Sequence, residues 1–168
     1  MTFLKVAVED IRKSFNRLEL SLDHVHFVKG FFQHSLPGLR DRFRQENRKL
    51  AVLRGDGDMY ESYMDILYNL YEFVPVGGYF ICDDCGNIDV AQKAIDNFRK
   101  AHGIRSPLVI VEGAKGGMYW KKDEATEVLY GEYVAWNATR HGRGSSLQKN
   151  RKQKPGNRIL ESWTPHFV

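Results

Sequence analysis

Apolar residues recur at helical spacing in several segments of the sequence. Positions 8, 11, 15 and 18 fall on one helical face and predict a surface helix near the N-terminus. The same spacing predicts a helix over Tyr60–Tyr71 and another over Val90–Phe98, with Gly103 as its C-terminal cap. A loop is expected over Phe31–Pro37, and it leads into a short helix that ends in the charged cluster Arg40–Lys49.

Shorter apolar or alternating runs predict the strands of a sheet. His24–Gly30 alternates apolar and polar residues and predicts a strand that ends at the glycine. Leu50–Leu53 and Gly78–Cys82 flank the Tyr60–Tyr71 helix, so a strand, a helix and a strand follow one another. Residues 107–112 and 118–122, on either side of a glycine-containing loop, predict a C-terminal β-hairpin.

Acidic residues follow the two central strands. Asp56 and Asp58 come after the first strand, and Asp83 and Asp84 come directly after the second. Parallel strands joined by a crossover helix place their C-terminal ends side by side, so these carboxylates are expected to meet at one edge of the sheet. Carboxylate oxygens suit a hard cation such as Mg²⁺. The alternative is that these aspartates are solvated loop residues or helix caps.

Composition and charge set limits on the class of protein. The 168 residues form one domain or a domain with a tail, and no apolar run approaches the roughly 20 residues that span a bilayer. The N-terminal residues lack the pattern of a secretory signal, so no membrane association and a cytoplasmic location are expected.

Seven Lys and Arg residues lie between Arg140 and Arg158 without an acidic residue. A solvated, disordered tail is favoured there over a nucleic-acid contact.

Two other groups of residues carry candidate chemistry. Cys82 and Cys85 form a C-x-x-C motif, but no second ligand pair for zinc is present, and two acids inside the motif disfavour a redox thiol. His24 and His26 share a face of their predicted strand, yet a third metal ligand is missing, so a solvent-facing pair is favoured.

Four motifs in order make the sequence more specific. The chain resembles the macrocin O-methyltransferase (TylF-type) family over about Val6 to Lys122. The segments that carry the resemblance are Val25–Pro37, Leu53–Ser62 with its R-x-D-G-D-x-Y-x-S pattern, Gly77–Asp84 and Met118–Lys122.

The resemblance implies an S-adenosylmethionine-dependent, Mg²⁺-dependent O-methyltransferase that acts on a hydroxyl of a sugar or another small metabolite. By motif position, Asp56, Asp83 and Asp84 correspond to metal ligands and Asp58 to a general base. These roles are chemically consistent, because a cation that lowers the pKa of a bound hydroxyl allows a weak base such as aspartate to accept its proton.

The resemblance also implies where the cofactor binds. Gly30, Phe31 and Phe32 match a turn near the adenosine. Asp56, which corresponds to a metal ligand, is also expected to line the cofactor pocket. The sequence departs from the family pattern at several positions, including Gly55 in place of an apolar residue and Tyr63 in place of threonine.

The implied fold is α/β: a Rossmann-like class I methyltransferase sheet that lacks its first two strands and has a C-terminal β-hairpin. Residues 1–122 are expected to form a partial methyltransferase domain, 123–139 an extra helix and 140–168 the basic tail. The strand at Leu50 would then have an open edge. A homo-oligomer or a complementing N-terminal half is therefore expected as a partner, beside the small-molecule hydroxyl acceptor.

Three other functions remain as alternatives. The chain could be an inactive methyltransferase fragment or half of a split enzyme. A Mg²⁺-dependent phosphatase that uses a D-x-D motif is disfavoured, because Tyr60 stands where Thr or Val is required and no Lys or Arg lies between Met59 and Ile88. A nucleotide-sugar transferase that holds Mn²⁺ with D-x-D is disfavoured to a similar degree.

Overall fold

The computed structural model describes residues 7–147, with side chains as far as residue 140, and its contacts divide the chain after Val128. The helices are α1 Val8–Arg17, α2 Phe32–Gln45, α3 Tyr60–Leu70, α4 Asp89–Ala101 and α5 Tyr130–Leu147. The strands are β1 Val52–Gly55, β2 Tyr79–Cys82, β3 Val109–Ile110 and β4 Met118–Lys121, and a 3-10 turn, Tyr71–Phe73, follows α3. The described fold is therefore mixed α/β.

The four strands form one sheet in the order β1-β2-β4-β3. β1 and β2 are parallel and are joined through α3, as the strand, helix and strand pattern predicts. β4 is antiparallel to both β2 and β3, which confirms the hairpin. The antiparallel β4 covers one edge of β2, and β1 is left at the edge of the sheet among the described strands.

The predicted strand at His24–Gly30 is wrong. These residues are not in a strand, and none of them pairs with the sheet. The alternation correctly indicates which side chains face inward, because Val25 and Phe27 are half-buried while His24 and His26 are exposed. A strand also needs a neighbour that supplies backbone hydrogen bonds, and the described part of the chain offers this segment none.

Aromatic residues fill the core between α3, α4 and the sheet. Trp120 and Phe80 pack with their ring centroids 4.5 Å apart, and Tyr71 contacts both Trp120 and Phe98. The Trp120 indole N–H donates to Tyr71 Oη at 2.9 Å, which satisfies a polar group that would otherwise be buried without a partner. This core fixes the end of α3 against β2 and β4.

Ionic contacts attach α2 to the turn that follows α3. Arg40 is 5% exposed, and its Nε lies 2.7 Å from Glu72 Oε1, while Arg44 Nη2 lies 2.8 Å from Glu72 Oε2. The predicted loop at Phe31–Pro37 is wrong, because α2 begins at Phe32 and contains Pro37. The pairing of two arginines with one partly buried carboxylate fixes α2 beside α3.

The region after Val128 differs from the predicted boundaries. α5 begins at Tyr130, not near 123, and continues to Leu147, past the predicted end at 139. Within it, Tyr133 stacks against Tyr130 and Trp136, with centroids 5.4 and 5.8 Å away. Most of the predicted basic tail, residues 148–168, lies outside the described residues.

Across residues 7–147, none of the helices combines the length and apolar character of a membrane span.

Candidate metal centre

The pairing of β1 with β2 brings three carboxylates together. Gly55 is the register partner of Cys82, and the Asp83 N–H donates to the Gly55 carbonyl at 3.0 Å. Asp56 and Asp83 are therefore the first residues beyond the paired ends of two parallel strands. One carboxylate oxygen from each of Asp56, Asp83 and Asp84 lies within 4.8 Å of the other two. The expected meeting of acidic residues at this edge is confirmed for these three.

The donor set suits a small hard cation. Two oxygens bound to one Mg²⁺ at about 2.1 Å are at most about 4.2 Å apart, so modest side-chain rotation from the observed spacing suffices. The Asp56 and Asp83 side chains are 50% and 44% exposed. Half-exposed ligands leave room for the waters that Mg²⁺ retains and for oxygens of a substrate.

Arg54 lies against two of the carboxylates. Its Nη2 is 2.7 Å from Asp83 Oδ1 and 3.1 Å from Asp56 Oδ2. The hydrogen bond to Asp83 is the main cause of a raised pKa at Arg54, and the charge of Asp56 adds to it. The guanidinium thus neutralises part of the negative charge that the sheet edge gathers.

Tyr63 reaches the same site from α3. Its hydroxyl oxygen lies 3.0 Å from Asp84 Oδ2 and 3.1 Å from the Gly55 carbonyl oxygen, and its ring is fully buried. Burial raises the pKa of the Tyr63 hydroxyl, and the negative charge of Asp84 raises it further. The phenol therefore stays protonated and serves as a hydrogen-bond donor.

Asp58 lies beside the three carboxylates without joining them. Its backbone N–H is 3.4 Å from Asp84 Oδ2, and its φ angle is +56°. The left-handed region is disfavoured for residues with a β-carbon, although aspartate tolerates it better than most. The Asp58 side chain is exposed. The structure thus gives the predicted general base an accessible position next to the cluster.

A disulfide encloses the two aspartates that follow β2. Cys82 and Cys85 are joined, their Cα atoms are 5.8 Å apart, and both residues are buried. Neither a zinc site nor a redox thiol was favoured for this motif, and the disulfide itself was not predicted. The short covalent ring restricts the backbone of Asp83 and Asp84. The Gly86 N–H also donates to the Gly116 carbonyl at 2.8 Å, which attaches this turn to the hairpin loop.

The residues predicted at the cofactor pocket lie near the start of α2. Phe31 is the N-terminal flanking residue of α2 and is 81% exposed, and Gly30 before it has φ +138°. Phe32 approaches the loop after β1, because a β-carbon added at Gly57 would lie 3.6 Å from Phe32 Cε2. The structure thus brings Phe32 to the loop that follows Asp56 and leaves the Phe31 ring open to solvent.

Sequence reasoning missed the roles of Arg54 and Tyr63 at this site. Arg54 precedes Asp56 by two residues, so the alternation of a strand places both on one face, which is a signal that could have been used. Tyr63 follows the helical spacing of the core, so its position gives no sign that the hydroxyl reaches a carboxylate in the adjoining loop. Only the folded chain shows that contact.

Comparison with known proteins identifies relatives. The family model for macrocin O-methyltransferase (TylF) matches residues 1–122. The chain is 37% identical over 123 residues to 8-demethyl-8-(2,3-dimethoxy-alpha-L-rhamnosyl)-tetracenomycin-C 4'-O-methyltransferase of Streptomyces olivaceus, covering 73% of this chain and 44% of that protein. It is 37% identical over 119 residues to demethyldecarbamoylnovobiocin O-methyltransferase of Streptomyces niveus, covering 71% of this chain and 42% of that protein.

A solved structure agrees with these matches. The O-methyltransferase NovP superposes on 73% of this chain and 48% of its own, with a TM-score of 0.64 and 35% identity. The chain spans less than half the length of each relative that it matches here. The family match covers most of the chain and includes all three clustered aspartates. The chain belongs to the macrocin O-methyltransferase (TylF) family.

Proposed function

We propose that the chain contributes the metal-binding part of an S-adenosylmethionine- and Mg²⁺-dependent O-methyltransferase acting on a hydroxyl of a sugar or another small metabolite. Family membership supports the transfer of a methyl group to oxygen. The relatives named above are O-methyltransferases, and the name of one of them includes a rhamnosyl group. The observation that carries the proposal is the convergence of Asp56, Asp83 and Asp84 oxygens within 4.8 Å.

The residues of the chain have distinct parts in this proposal. Asp56, Asp83 and Asp84 would hold Mg²⁺, which when bound lowers the pKa of a coordinated hydroxyl and orients it. Asp58 would accept the proton of that hydroxyl, and its exposure and the contact of its backbone N–H with Asp84 support this role. Gly30, Phe31 and Phe32, with Asp56 on the metal side, would form part of the S-adenosylmethionine pocket. The exposed Phe31 ring could then contact the adenine by stacking.

We further propose that the sheet belongs to a Rossmann-like class I methyltransferase fold and takes up an additional strand at β1. Two parallel strands with a helical crossover and the likeness to NovP support the class. β1 lies at the edge of the described sheet, and Val52 on it is 50% exposed. The strand that pairs with β1 would come from the part of the methyltransferase sheet that has no match in this chain. A second copy of the chain pairing there is the competing outcome.

An inactive fragment, or half of a split enzyme, is a second candidate function. The specific observation in its favour is that the chain covers 42 to 48% of its relatives. No comparable observation favours the phosphatase or the nucleotide-sugar transferase.

Equilibrium dialysis with labelled S-adenosylmethionine and Mg²⁺ tests the function. We expect saturable binding that Phe31→Ala weakens, because this change removes an exposed ring at the proposed pocket. Leu129→Ala is the matched control, since Leu129 is also an exposed apolar residue but lies after the matched region. Absence of binding at millimolar S-adenosylmethionine would favour the fragment. Binding with transfer of label to demethyldecarbamoylnovobiocin or a related glycoside would establish the enzyme.

A further inference from the structure

Tyr63 connects the carboxylates of the metal centre to the hydrophobic core. Tyr63 lies in the first turn of α3 and is 0% exposed. The hydroxyl at the end of its ring donates a hydrogen bond to Asp84 Oδ2. The ring therefore has the fixed position of a core residue and carries a polar atom at the edge of the site.

The ring fits because position 55 is glycine. A β-carbon at Gly55 would lie 2.9 Å from Tyr63 Cε1 and 3.1 Å from Phe80 Cζ, and the first of these is closer than real side chains approach. Tyr63 thus packs directly on the backbone of β1, next to the residue that precedes Asp56. This packing holds the hydroxyl in one place relative to both strand ends.

The hydroxyl has one proton and two acceptors within reach, the Gly55 carbonyl and Asp84 Oδ2. An ionised carboxylate is the stronger acceptor, so the proton is directed to Asp84. The bond uses one carboxylate oxygen of Asp84 and leaves the other for a cation. The same oxygen, Asp84 Oδ2, also accepts a long hydrogen bond from the Asp58 N–H, so two donors orient this carboxylate.

We propose that Tyr63 is a positioning residue of the metal centre, whose hydroxyl holds Asp84 in the orientation that a divalent cation requires. This inference rests on the proposed function, since it assigns Tyr63 a role toward the cation that Asp56, Asp83 and Asp84 would bind. Groups that orient metal ligands contribute strongly to affinity, and their loss typically weakens metal binding about 10- to 100-fold.

Mn²⁺ binding by Tyr63→Phe tests the proposal, followed through the electron paramagnetic resonance signal of free Mn²⁺. This change removes the hydroxyl and keeps the ring that packs on Gly55. Tyr60→Phe is the matched control, because Tyr60 is on the same helix and its hydroxyl accepts from Asn97 Nδ2 at 3.0 Å. We expect Tyr63→Phe to weaken Mn²⁺ binding about tenfold and Tyr60→Phe to leave it unchanged, with circular dichroism confirming that both variants are folded.

The outcomes separate this inference from the proposed function. Equal Mn²⁺ affinity of Tyr63→Phe and the unchanged protein would overturn the role of Tyr63 while the metal site stands. Equal weakening by both variants would also overturn it, because the loss would then reflect a general loosening of α3. Failure of the unchanged protein to bind Mn²⁺ would overturn the metal site itself, and the inference with it.

Discussion

Arg54 Nη2 lies 2.7 Å from Asp83 Oδ1, so a side-chain cation already contacts the carboxylates proposed to bind a metal ion. The same nitrogen is 3.1 Å from Asp56 Oδ2, and Arg54 is about half exposed. A divalent cation at this site would share two of its ligands with the guanidinium. Like charges a few ångströms apart repel, although solvent weakens the effect at an exposed site.

We therefore predict that Arg54→Gln binds Mg²⁺ about three- to tenfold more tightly at low salt. The gain should shrink as NaCl is added, because exposed charges are screened. Isothermal titration calorimetry measures both effects. Arg48→Gln is the control, since Arg48 is exposed and pairs with Glu46 away from the site. Weaker binding by Arg54→Gln would mean that the arginine holds the carboxylates in place instead of competing with the metal.

The Cys82–Cys85 disulfide should stabilise the fold and the site together. Closing a ring of about four residues is worth about 2 kcal/mol in the chain-entropy model, so Cys82→Ala/Cys85→Ala should lower the free energy of unfolding by about that amount. Because the ring contains Asp83 and Asp84, the same variant should bind Mn²⁺ less tightly. Urea denaturation and Mn²⁺ titration, with and without dithiothreitol, measure these effects. An unchanged Mn²⁺ affinity would show that the disulfide does not hold the aspartates.

Buried Lys122 should stabilise the fold through its hydrogen bonds to two backbone carbonyls. Lys122 is 4% exposed, and its Nζ donates to the Val74 carbonyl at 2.8 Å and to the Tyr71 carbonyl at 3.4 Å. Lys122→Met leaves these carbonyls without that donor, and we expect a loss of about 1–3 kcal/mol in the free energy of unfolding. Lys121→Met, an exposed neighbour, is the control and should change it little.

The sign of the pH effect follows from the direction of the pKa shift. Burial lowers the pKa of the Lys122 ammonium, so between this lowered pKa and the ordinary lysine value of about 10.4 the unfolded chain binds more protons than the folded one. Stability from Lys122 therefore rises with pH across that window. Urea denaturation should show the difference between the unchanged protein and Lys122→Met growing from neutral to alkaline pH. A constant difference would contradict the lowered pKa.

β1 lies at the edge of the sheet among the described strands, and it should cause self-association when no further strand pairs with it. We predict that the chain alone forms dimers or larger species, and that Val52→Lys reduces them, because a lysine on an edge strand opposes pairing with another strand. Val76→Lys is the control, since Val76 is similarly exposed but lies in a loop. Size-exclusion chromatography with light scattering measures the mass. A stable monomer of the unchanged chain would contradict an open edge.

The central part of the fold could be predicted from sequence because its signals are local. The apolar stripe Tyr60–Tyr71 between two short apolar runs predicts the unit of β1, α3 and β2, and the acidic ends of those runs predict the meeting of Asp56, Asp83 and Asp84. His24–Gly30 shows the limit of this reasoning. Alternation reports which side chains face inward, but not whether a neighbouring strand exists.

The remaining features depend on contacts between segments distant in the sequence. In the sequence Gly55 and Tyr63 are two separate departures from the family pattern, yet in the structure the Tyr63 ring occupies the space that a side chain at position 55 would need. Likewise, Gly86 and Gly116 lie where two loops approach each other closely, so the need for glycine at both positions is seen only in the structure. Neither relationship leaves a periodic signal along the chain.

The most direct test of the metal centre is an X-ray structure of crystals soaked in MnCl₂, with an anomalous difference map measured for the manganese. We predict a peak within coordination distance of oxygens from Asp56, Asp83 and Asp84, with Arg54 displaced from at least one of these aspartates. A map with no peak there, in which Arg54 still bridges Asp56 and Asp83, would contradict it.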